Sequence, residues 1–141
     1  MGLIATDVLN CHIMTERILV SGSNPAEELC GYSRAVRVGN FVSVAGTTAM
    51  GPEGPVGGSD VAAQTREVLE RISQALAKAG ATLDHVIRTR LFVTDISAWE
   101  EIGRVHKEYF AKALPASVIV EVARLIDPRV LIEIEADAIV A

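Results

Sequence analysis

The stretch that decides the fold runs from Asp60 to Gly80 and reads DVAAQTREVLERISQALAKAG. Its apolar side chains recur at helical spacing while the charged ones stay off that stripe, which is the pattern of an amphipathic helix. Asp60 suits the N-cap position and Gly80 suits the C′ position, so both helix ends are marked. The apolar stripe consists of Val61, Thr65, Val68, Leu69, Ile72, Leu76 and Ala79. We therefore predict a helix over 60–79 that buries one face.

Short runs rich in β-forming residues lie on the N-terminal side of this helix. Gly39-Asn40 separates two of them by the two residues that a tight hairpin turn needs. The stretch 22–31 is rich in turn-forming residues, and 51–58 contains four glycines and two prolines, so we predict loops in both. The predicted strands are Arg17–Ser21, Arg34–Val38 and Phe41–Ala45.

Strands and one more helix follow Gly80. Leu114-Pro115 ends the second helix because the residue before a proline disfavours the helical region. The predicted elements are a strand over 86–94, a helix over 98–112 and strands over 116–125 and 130–140. The order β-β-β-α-β-α-β-β predicts an α+β fold, one mixed sheet with two helices packed on a single face. The length of 141 residues fits one domain, which we assign to residues 17–141, with residues 1–16 as an N-terminal extension.

Composition and charge argue against several classes of protein. The formal net charge of −5 and the aromatic content of 4% disfavour a nucleic-acid partner, which needs basic side chains and stacking platforms. Cys11 and Cys30 have no close spacing and predict ordinary reduced thiols. No apolar run approaches the ~18 residues that span a bilayer, and the N-terminus lacks the pattern of a signal peptide. We therefore expect a cytoplasmic protein without a membrane partner.

Alternation along the predicted strands sorts side chains onto two faces. The apolar side chains expected to face the helices include Ile87, Val118, Val120 and Val122. The second face mixes charged and apolar residues, namely Arg88, Arg90, Glu121, Glu133, Glu135 and Asp137 with Phe92, Ile119, Leu131 and Ile139. A solvated face is one interpretation. The mixture favours the other, a subunit interface in which the carboxylates take arginine or backbone partners.

Several segments, in the same order, resemble the RidA/YjgF superfamily. They are 31–46 (GYSRAVRVGNFVSVAG), 60–72 (DVAAQTREVLERI), 88–95 (RTRLFVTD), 115–125 (PASVIVEVARL) and 132–136 (IEIEA). The resemblance covers about residues 17–141. It implies a chorismate-mutase-like fold assembled as a homotrimer, in which three sheets form an inner barrel with small-molecule clefts between subunits.

The resemblance also implies an activity. RidA hydrolyses reactive enamine and imine products of pyridoxal-phosphate enzymes to 2-keto acids and ammonia, without a metal or a cofactor. An arginine clamps the substrate carboxylate, a strand glycine offers its backbone and a glutamate holds the water. Matched residue by residue, the glycine is Gly46, the glutamate is Glu133 and a tyrosine near the first strand is Tyr32. The backbone around the clamp is that of Val118 and Ile119.

The clamping arginine is missing from this chain. Where the deaminases read Pro-Ala-Arg, this sequence reads Pro115-Ala116-Ser117, and Ala45 replaces the serine before the strand glycine, with Thr47 after it. A guanidinium fork matches a carboxylate, whereas a serine hydroxyl offers one neutral donor. Exchanging a charged for a neutral hydrogen bond in a closed site costs roughly 1.5–3 kcal/mol, or about 10–100-fold in affinity. We therefore expect a 2-imino acid to be held poorly.

Each candidate residue has an alternative role. Glu133 either holds a hydrolytic water or serves as an interface carboxylate, and Tyr32 is either a ligand contact or a packed rim aromatic. Ser117 has no base beside it in the sequence, so we expect it to line the pocket rather than act as a nucleophile. Arg90 could replace the missing cation, but pairing with the carboxylates of its own face is the stronger expectation. His106 could reach the cleft, although a lone helix histidine is usually structural.

Three functions remain open. The one we favour is a cofactor-independent, imine- or enamine-deaminase-like hydrolase acting on a small metabolite other than the usual 2-imino acids. The second is a non-catalytic metabolite-binding or regulatory trimer that uses the same clefts. The third is the endoribonuclease or translation-inhibitor role sometimes attached to the superfamily, against which the acidic charge weighs. His12 and His85 show no ligand spacing, so we predict no metal site.

Overall fold

The computed structural model describes residues 16–141. Its strands are β1 (Arg17–Val20), β2 (Ala35–Val38), β3 (Phe41–Thr47), β4 (Met50–Gly51), β5 (Gly54–Pro55), β6 (Val86–Val93), β7 (Ala116–Glu121) and β8 (Ile132–Ile139). Its helices are α1 (Pro25–Cys30), α2 (Val61–Lys78) and α3 (Trp99–Phe110), with short 3₁₀ turns at Leu83–His85 and Ile96–Ala98. The predicted N-terminal extension, with Cys11 and His12, lies outside the described residues except for Glu16.

Helix α2 begins and ends where the sequence marks it. The Asp60 carboxylate accepts a hydrogen bond from the Ala63 N–H at 3.0 Å, which satisfies one of the free donors of the first turn. At the other end Gly80 has φ +76°, a left-handed conformation that favours glycine. The Ala81 N–H then donates to the Leu76 carbonyl at 2.8 Å, which is the outer bond of a Schellman motif.

Six strands form one mixed sheet in the order β1-β2-β3-β8-β6-β7. Neighbours are antiparallel except β6 and β7, which are parallel and are joined through α3, since parallel neighbours need a crossover. The predicted hairpin is present, with Gly39-Asn40 linking β2 to β3 and Gly39 at φ +60°. Helices α2 and α3 share one core with the buried side chains of the strands. The predicted α+β class is confirmed.

Both predicted loops contain short regular elements. Helix α1 lies within 22–31, and the Asn24 side chain caps it by accepting a hydrogen bond from the Ala26 N–H at 2.9 Å. The buried Glu27 carboxylate accepts a hydrogen bond from the Gly22 N–H at 2.9 Å and ties the preceding turn to the helix. Strands β4 and β5 pair as a small separate hairpin. Elements this short show no hydrophobic period, so the sequence pattern does not reveal them.

Strands β7 and β8 are shorter than predicted, since β7 ends at Glu121 and β8 begins at Ile132. Backbone groups between these two strands bond to a side chain rather than to a neighbouring strand. The buried Gln64 side chain accepts a hydrogen bond from the Leu131 N–H at 2.9 Å and donates to the Arg129 carbonyl at 2.9 Å. A buried amide with these partners satisfies backbone groups that strand pairing would otherwise satisfy.

The faces assigned to β7 from the sequence are wrong. The parallel register pairs Ser117 with Thr89, which is buried under the helices, so Ser117 lies on the helix side of the sheet. Because β7 is an edge strand that the helices cover only in part, its hydrophobicity does not separate its two faces. On the helix side lie Ser117, Ile119 and Glu121, and on the opposite, exposed side lie Val118 and Val120.

A bulge at the start of β6 makes the predicted faces of Val86 and Ile87 wrong as well. The register against β8 shifts between Val86 and Arg88, because a bulge inserts one unpaired residue into the strand. Val86 is consequently buried and Ile87 exposed, the reverse of the prediction. From Thr89 onward the alternation follows the predicted pattern. No helix within residues 16–141 is long and apolar enough to cross a bilayer.

Candidate functional site

The open face of the sheet, opposite α2 and α3, carries paired charges at its centre. Arg90 donates to Asp137 at 3.0 Å and lies 3.3 Å from Glu135, and the Ser43 hydroxyl donates to Asp137 at 2.7 Å. The expected pairing of Arg90 with carboxylates of its own face is therefore present. Exposed apolar side chains surround these charges, namely Leu19, Val38, Phe41, Val118, Val120 and Ile139. Paired charges among exposed apolar surface are typical of a protein contact surface.

A second polar group lies where β3 ends and β8 begins. Arg34, which directly precedes β2, donates through Nη2 to the Gly46 carbonyl at 2.6 Å. Its guanidinium carbon lies 6.0 Å from the centre of the Tyr32 ring. Glu133 lies against the same glycine, because a Cβ placed on Gly46 would overlap the Glu133 carboxylate. We call Tyr32, Arg34, Gly46 and Glu133 the Arg34 cluster.

Both charged groups of the Arg34 cluster have unused hydrogen-bonding capacity. Arg34 Nε is buried without a partner among the described residues, and the Glu133 carboxylate has no hydrogen bond or ion pair with any of them. Burial raises the pKa of Glu133 above its ordinary value, while Arg34 opposes that rise and Glu135 adds to it. Buried polar groups are normally paired. A small polar ligand or an ordered water beside Glu133 would supply the hydrogen bond that its carboxylate lacks.

The surroundings of Tyr32 form a depression on the open face. It is lined by Arg17, Leu19, Gly31, Tyr32, Ser33, Val36, Ser43 and Ala45. Ala45 contributes only a methyl group to this lining. Thr47, by contrast, is buried, and its hydroxyl donates to the Ala45 carbonyl at 2.7 Å. The Thr47 side chain therefore holds the strand and does not line the depression.

Three hydrogen-bonding side chains meet at the other edge of the sheet. Thr89 on β6 donates to Ser117 Oγ on β7 at 2.8 Å, and its hydroxyl lies 2.9 Å from His106 Nε2 on α3. The Phe110 ring lies against the imidazole, with ring centres 4.5 Å apart. Burial lowers the pKa of His106 below its ordinary value, which favours the neutral imidazole. We call Thr89, His106 and Ser117 the Ser117 cluster.

Five of the nine predicted site residues fall into two groups within one chain, whereas Arg90, Thr47, Val118 and Ile119 lie outside both. Tyr32, Gly46 and Glu133 lie in the Arg34 cluster, whereas Ser117 and His106 lie in the Ser117 cluster. Glu133 is on the open face and Ser117 on the helix side, so the sheet itself separates the two clusters. A pocket that contains both would need a second copy of the chain.

The remaining histidine of the described chain has a structural role. His85 Nδ1 accepts a hydrogen bond from the Thr82 N–H at 3.0 Å and closes the turn before β6. Among residues 16–141 no group of three or more His, Cys, Asp or Glu side chains is arranged to hold a metal ion. Cys30 is a free and exposed thiol.

Known proteins share this fold and this order of segments. The family model described as Endoribonuclease L-PSP matches residues 17–140. A RutC family protein of Pyrococcus abyssi is 42% identical over 109 residues, which cover 76% of this chain and 84% of that protein. The chain belongs to the RidA/YjgF superfamily.

Two other similar proteins add detail within the superfamily. The 3-aminoacrylate deaminase RutC of Acinetobacter baylyi is 38% identical over 120 residues, covering 84% of this chain and 93% of that protein. A Mycobacterium tuberculosis protein, described as a member of the highly conserved YjgF/YER057c/UK114 family, has a crystal structure with a TM-score of 0.82. It is 53% identical, and the match covers 89% of this chain and all of that one. The similarity thus extends over nearly the whole length of both relatives.

Sequence reasoning misses two members of the clusters, Arg34 and Thr89. The sequence signal that could have identified Arg34 is the hairpin around Gly39-Asn40. This hairpin brings position 34 beside the end of β3, and the Ala45 N–H donates to the Arg34 carbonyl at 3.0 Å. Thr89 has no such signal, because the parallel register of β6 and β7 leaves no local pattern in the sequence.

Proposed function

We propose that this RidA/YjgF-superfamily protein binds a small carboxylate-bearing metabolite in clefts between copies of a homotrimer. It hydrolyses an imine or enamine other than the usual 2-imino acids. The observation that carries the proposal is the Arg34 cluster, in which a guanidinium and a half-buried carboxylate converge on Gly46 with unused hydrogen-bonding capacity. Arg34 then takes over the clamping role that Ser117 cannot fill.

The position of the clusters supports a site between copies. One chain holds its Arg34 cluster and its Ser117 cluster on opposite sides of the sheet. The exposed apolar side chains of the open face, which include Phe41 and Val120, would be covered when three copies assemble around a common axis. Sedimentation of a stable monomer at micromolar concentration would contradict this arrangement.

The chemistry follows from the groups that the Arg34 cluster supplies. Arg34 holds the carboxylate of the substrate through charge-assisted hydrogen bonds. An enamine first takes a proton on its second carbon and so becomes an imine. Water held by Glu133 then adds to the imine carbon, and Glu133 passes one proton of this water to the nitrogen. The remaining proton, on the hydroxyl of the resulting carbinolamine, follows to the nitrogen through Glu133 as the carbon–nitrogen bond breaks. Ammonia leaves, and the carbonyl compound remains. Because its pKa is raised, Glu133 is a better match for proton transfer near neutral pH than an ordinary glutamate.

The name of one relative supports an enamine substrate. The Acinetobacter baylyi protein is called a 3-aminoacrylate deaminase, and 3-aminoacrylate carries its nitrogen on the third carbon rather than beside the carboxylate. The greater distance between nitrogen and carboxylate suits a site whose cation has moved from position 117 to Arg34. We therefore propose enamines of this type ahead of 2-imino acids.

The proposal is tested by ammonia release from 3-aminoacrylate generated in the assay. Arg34→Gln is expected to lower kcat/KM roughly 10–100-fold, because a charged hydrogen bond to the carboxylate is lost. Arg104→Gln is the matched control, since Arg104 is an exposed helix arginine in an i,i+4 pair. Equal activity in wild type and Arg34→Gln would contradict the proposed role of Arg34.

A non-catalytic binder is the second candidate, favoured if Arg34→Gln abolishes metabolite binding in a protein that never releases ammonia. The cytoplasm is the proposed location for either function, with residues 17–141 as the domain that carries it. An endoribonuclease role fits the charge distribution less well. The net charge is −5, and Arg90, at the centre of the open face, is paired with carboxylates, whereas RNA binding needs free cations.

A further inference from the structure

The Ser117 cluster forms a continuous hydrogen-bonded path between a surface hydroxyl and a half-buried imidazole. Ser117 lies on the edge strand and is exposed, Thr89 is fully buried and His106 is half-buried. The two contacts of 2.8 and 2.9 Å are within hydrogen-bond range on both sides of the Thr89 hydroxyl. No member of this path takes part in the proposed chemistry of the Arg34 cluster.

The path can carry a proton inward. A hydroxyl has one donor and two acceptor positions and rotates freely, so the same contacts also allow Ser117 to donate to Thr89 while Thr89 donates to His106 Nε2. This direction needs an unprotonated Nε2. The buried setting of His106, with Phe110 against its ring, supplies it by lowering the pKa of the imidazole.

A hydroxyl that can pass its proton to a base is the arrangement of an activated nucleophile. We propose that Ser117 is a nucleophile toward small activated acyl compounds, such as esters, with His106 as the base acting through Thr89. The sequence offers no base beside Ser117, and the pairing of β6 with β7 is what brings the imidazole within two hydrogen bonds of it.

The reaction proceeds in two steps. In the first, Ser117 Oγ forms a bond to the acyl carbon, its proton moves to Thr89 and the proton of Thr89 moves to His106. The bond from the acyl carbon to the leaving alkoxide breaks, and the alkoxide takes a proton directly from Thr89, which regains one from His106. In the second step water attacks the acyl-serine, the acid is released and Ser117 recovers its proton.

The test uses a fluorophosphonate probe on the full-length protein, with labelled residues located by peptide mass spectrometry. Ser117 Oγ bonds to phosphorus, fluoride leaves and the proton passes to His106. Ser97 is the internal control, because its exposed hydroxyl binds the Asp95 carboxylate at 2.6 Å. Labelling at Ser117 is expected to be at least ~10-fold faster than at Ser97, in line with assistance by a general base, and to disappear in Ser117→Ala.

Variants along the path separate proton transfer from simple positioning. His106→Gln keeps a hydrogen-bonding group but has no basic nitrogen, and Thr89→Val keeps the shape but has no hydroxyl. Both are expected to slow labelling by about 10-fold or more, whereas Thr89→Ser, which restores the hydroxyl, keeps it. His85→Gln is the matched histidine control. Circular dichroism melting curves confirm that each variant is folded.

Two results would overturn the inference: labelling of Ser117 no faster than of Ser97, or equal labelling of wild type and His106→Gln. The inference does not rest on the proposed function. Loss of labelling with intact ammonia release from 3-aminoacrylate counts against the Ser117 nucleophile alone. Labelling without any ammonia release counts against the proposed function alone.

Discussion

The Arg34 cluster and the Ser117 cluster sit at two places on one sheet and satisfy their polar groups in opposite ways. In the first, a cation and a carboxylate are partly buried and leave hydrogen-bonding positions open. In the second, Ser117, Thr89 and a neutral His106 bond to one another. In the Arg34 cluster, Arg34 Nε and the Glu133 carboxylate lack hydrogen-bond partners among the described residues. In the Ser117 cluster, the three side chains serve as partners for one another.

This difference bears on where the chain could hold a carboxylate ligand, since position 117 on the edge strand is a neutral serine. A charge placed beside Thr89 would meet a path of neutral groups, whereas the open face already carries carboxylates that need cations. Arg34 lies beside one of them, Glu133, and lowers the cost of keeping that carboxylate partly buried. In this chain the cation beside Gly46 is Arg34, whereas position 117 on the edge strand carries no charge.

The largest expected effect comes from introducing an arginine at position 117. Ser117→Arg should raise the affinity for 2-oxobutanoate roughly 10–100-fold, because a guanidinium fork replaces a neutral hydroxyl at the position where the deaminases clamp the carboxylate. Titration calorimetry measures the change, with Ser97→Arg as the control for added charge. Unchanged affinity in Ser117→Arg would mean that position 117 does not reach the ligand.

In the Ser117→Arg background, Glu133→Gln should abolish any hydrolysis of 2-iminobutanoate while leaving the binding of 2-oxobutanoate largely intact. The amide cannot take a proton from the attacking water, whereas the carboxylate of the ligand still meets its cation. Coupled ammonia release and calorimetry on the same preparation separate the two effects. Hydrolysis that survives in the double variant would remove Glu133 from the mechanism.

A smaller effect is expected from breaking the Ser117 cluster. Thr89→Val should destabilise the fold by about 1–3 kcal/mol, because the partly buried His106 loses its hydrogen-bond partner. Thr65→Val is the matched control, since the Thr65 hydroxyl is equally buried but donates only to the Val61 carbonyl one turn earlier in α2. Urea unfolding measures both. Equal losses in the two variants would show that the path adds nothing beyond an ordinary buried threonine.

The smallest effect concerns Glu133 alone. Its pKa is higher in the folded chain than its ordinary value. The ionised carboxylate therefore destabilises the folded state at neutral pH, and this destabilisation is lost as the pH falls through the folded pKa. Glu133→Gln should therefore raise the melting temperature at pH 7, and the gain should shrink toward about pH 4, where wild type is also largely neutral. Glu100→Gln, at an exposed helix position, is the control for removing one surface carboxylate.

The sequence predicts the long elements of the fold and only part of the site. Helix α2 is readable because eighteen residues repeat one period between Asp60 and Gly80. Helix α1 has six residues, too few to show a period. The faces of β7 are misassigned because an edge strand that is half covered carries no clear alternation.

Both clusters depend on contacts between residues that are far apart in the sequence. Glu133 and Gly46 are identified through the family resemblance. Arg34 meets Gly46 only when the hairpin closes. The path from Ser117 to His106 exists only in the parallel register of two strands that are separated by a helix. Periodicity records which residues are buried, but it does not record which buried residues meet.

The central claim is that Arg34 of one copy and Ser117 of a neighbouring copy face the same ligand. A crystal structure of the protein with 2-oxobutanoate tests it most directly. The predicted result is a trimer in which the ligand carboxylate accepts hydrogen bonds from Arg34, beside Gly46 and Glu133, with a neighbouring copy's Ser117 lining the same cleft. A ligand bound away from Arg34, or an Arg34 cluster that no other copy approaches, would contradict the claim.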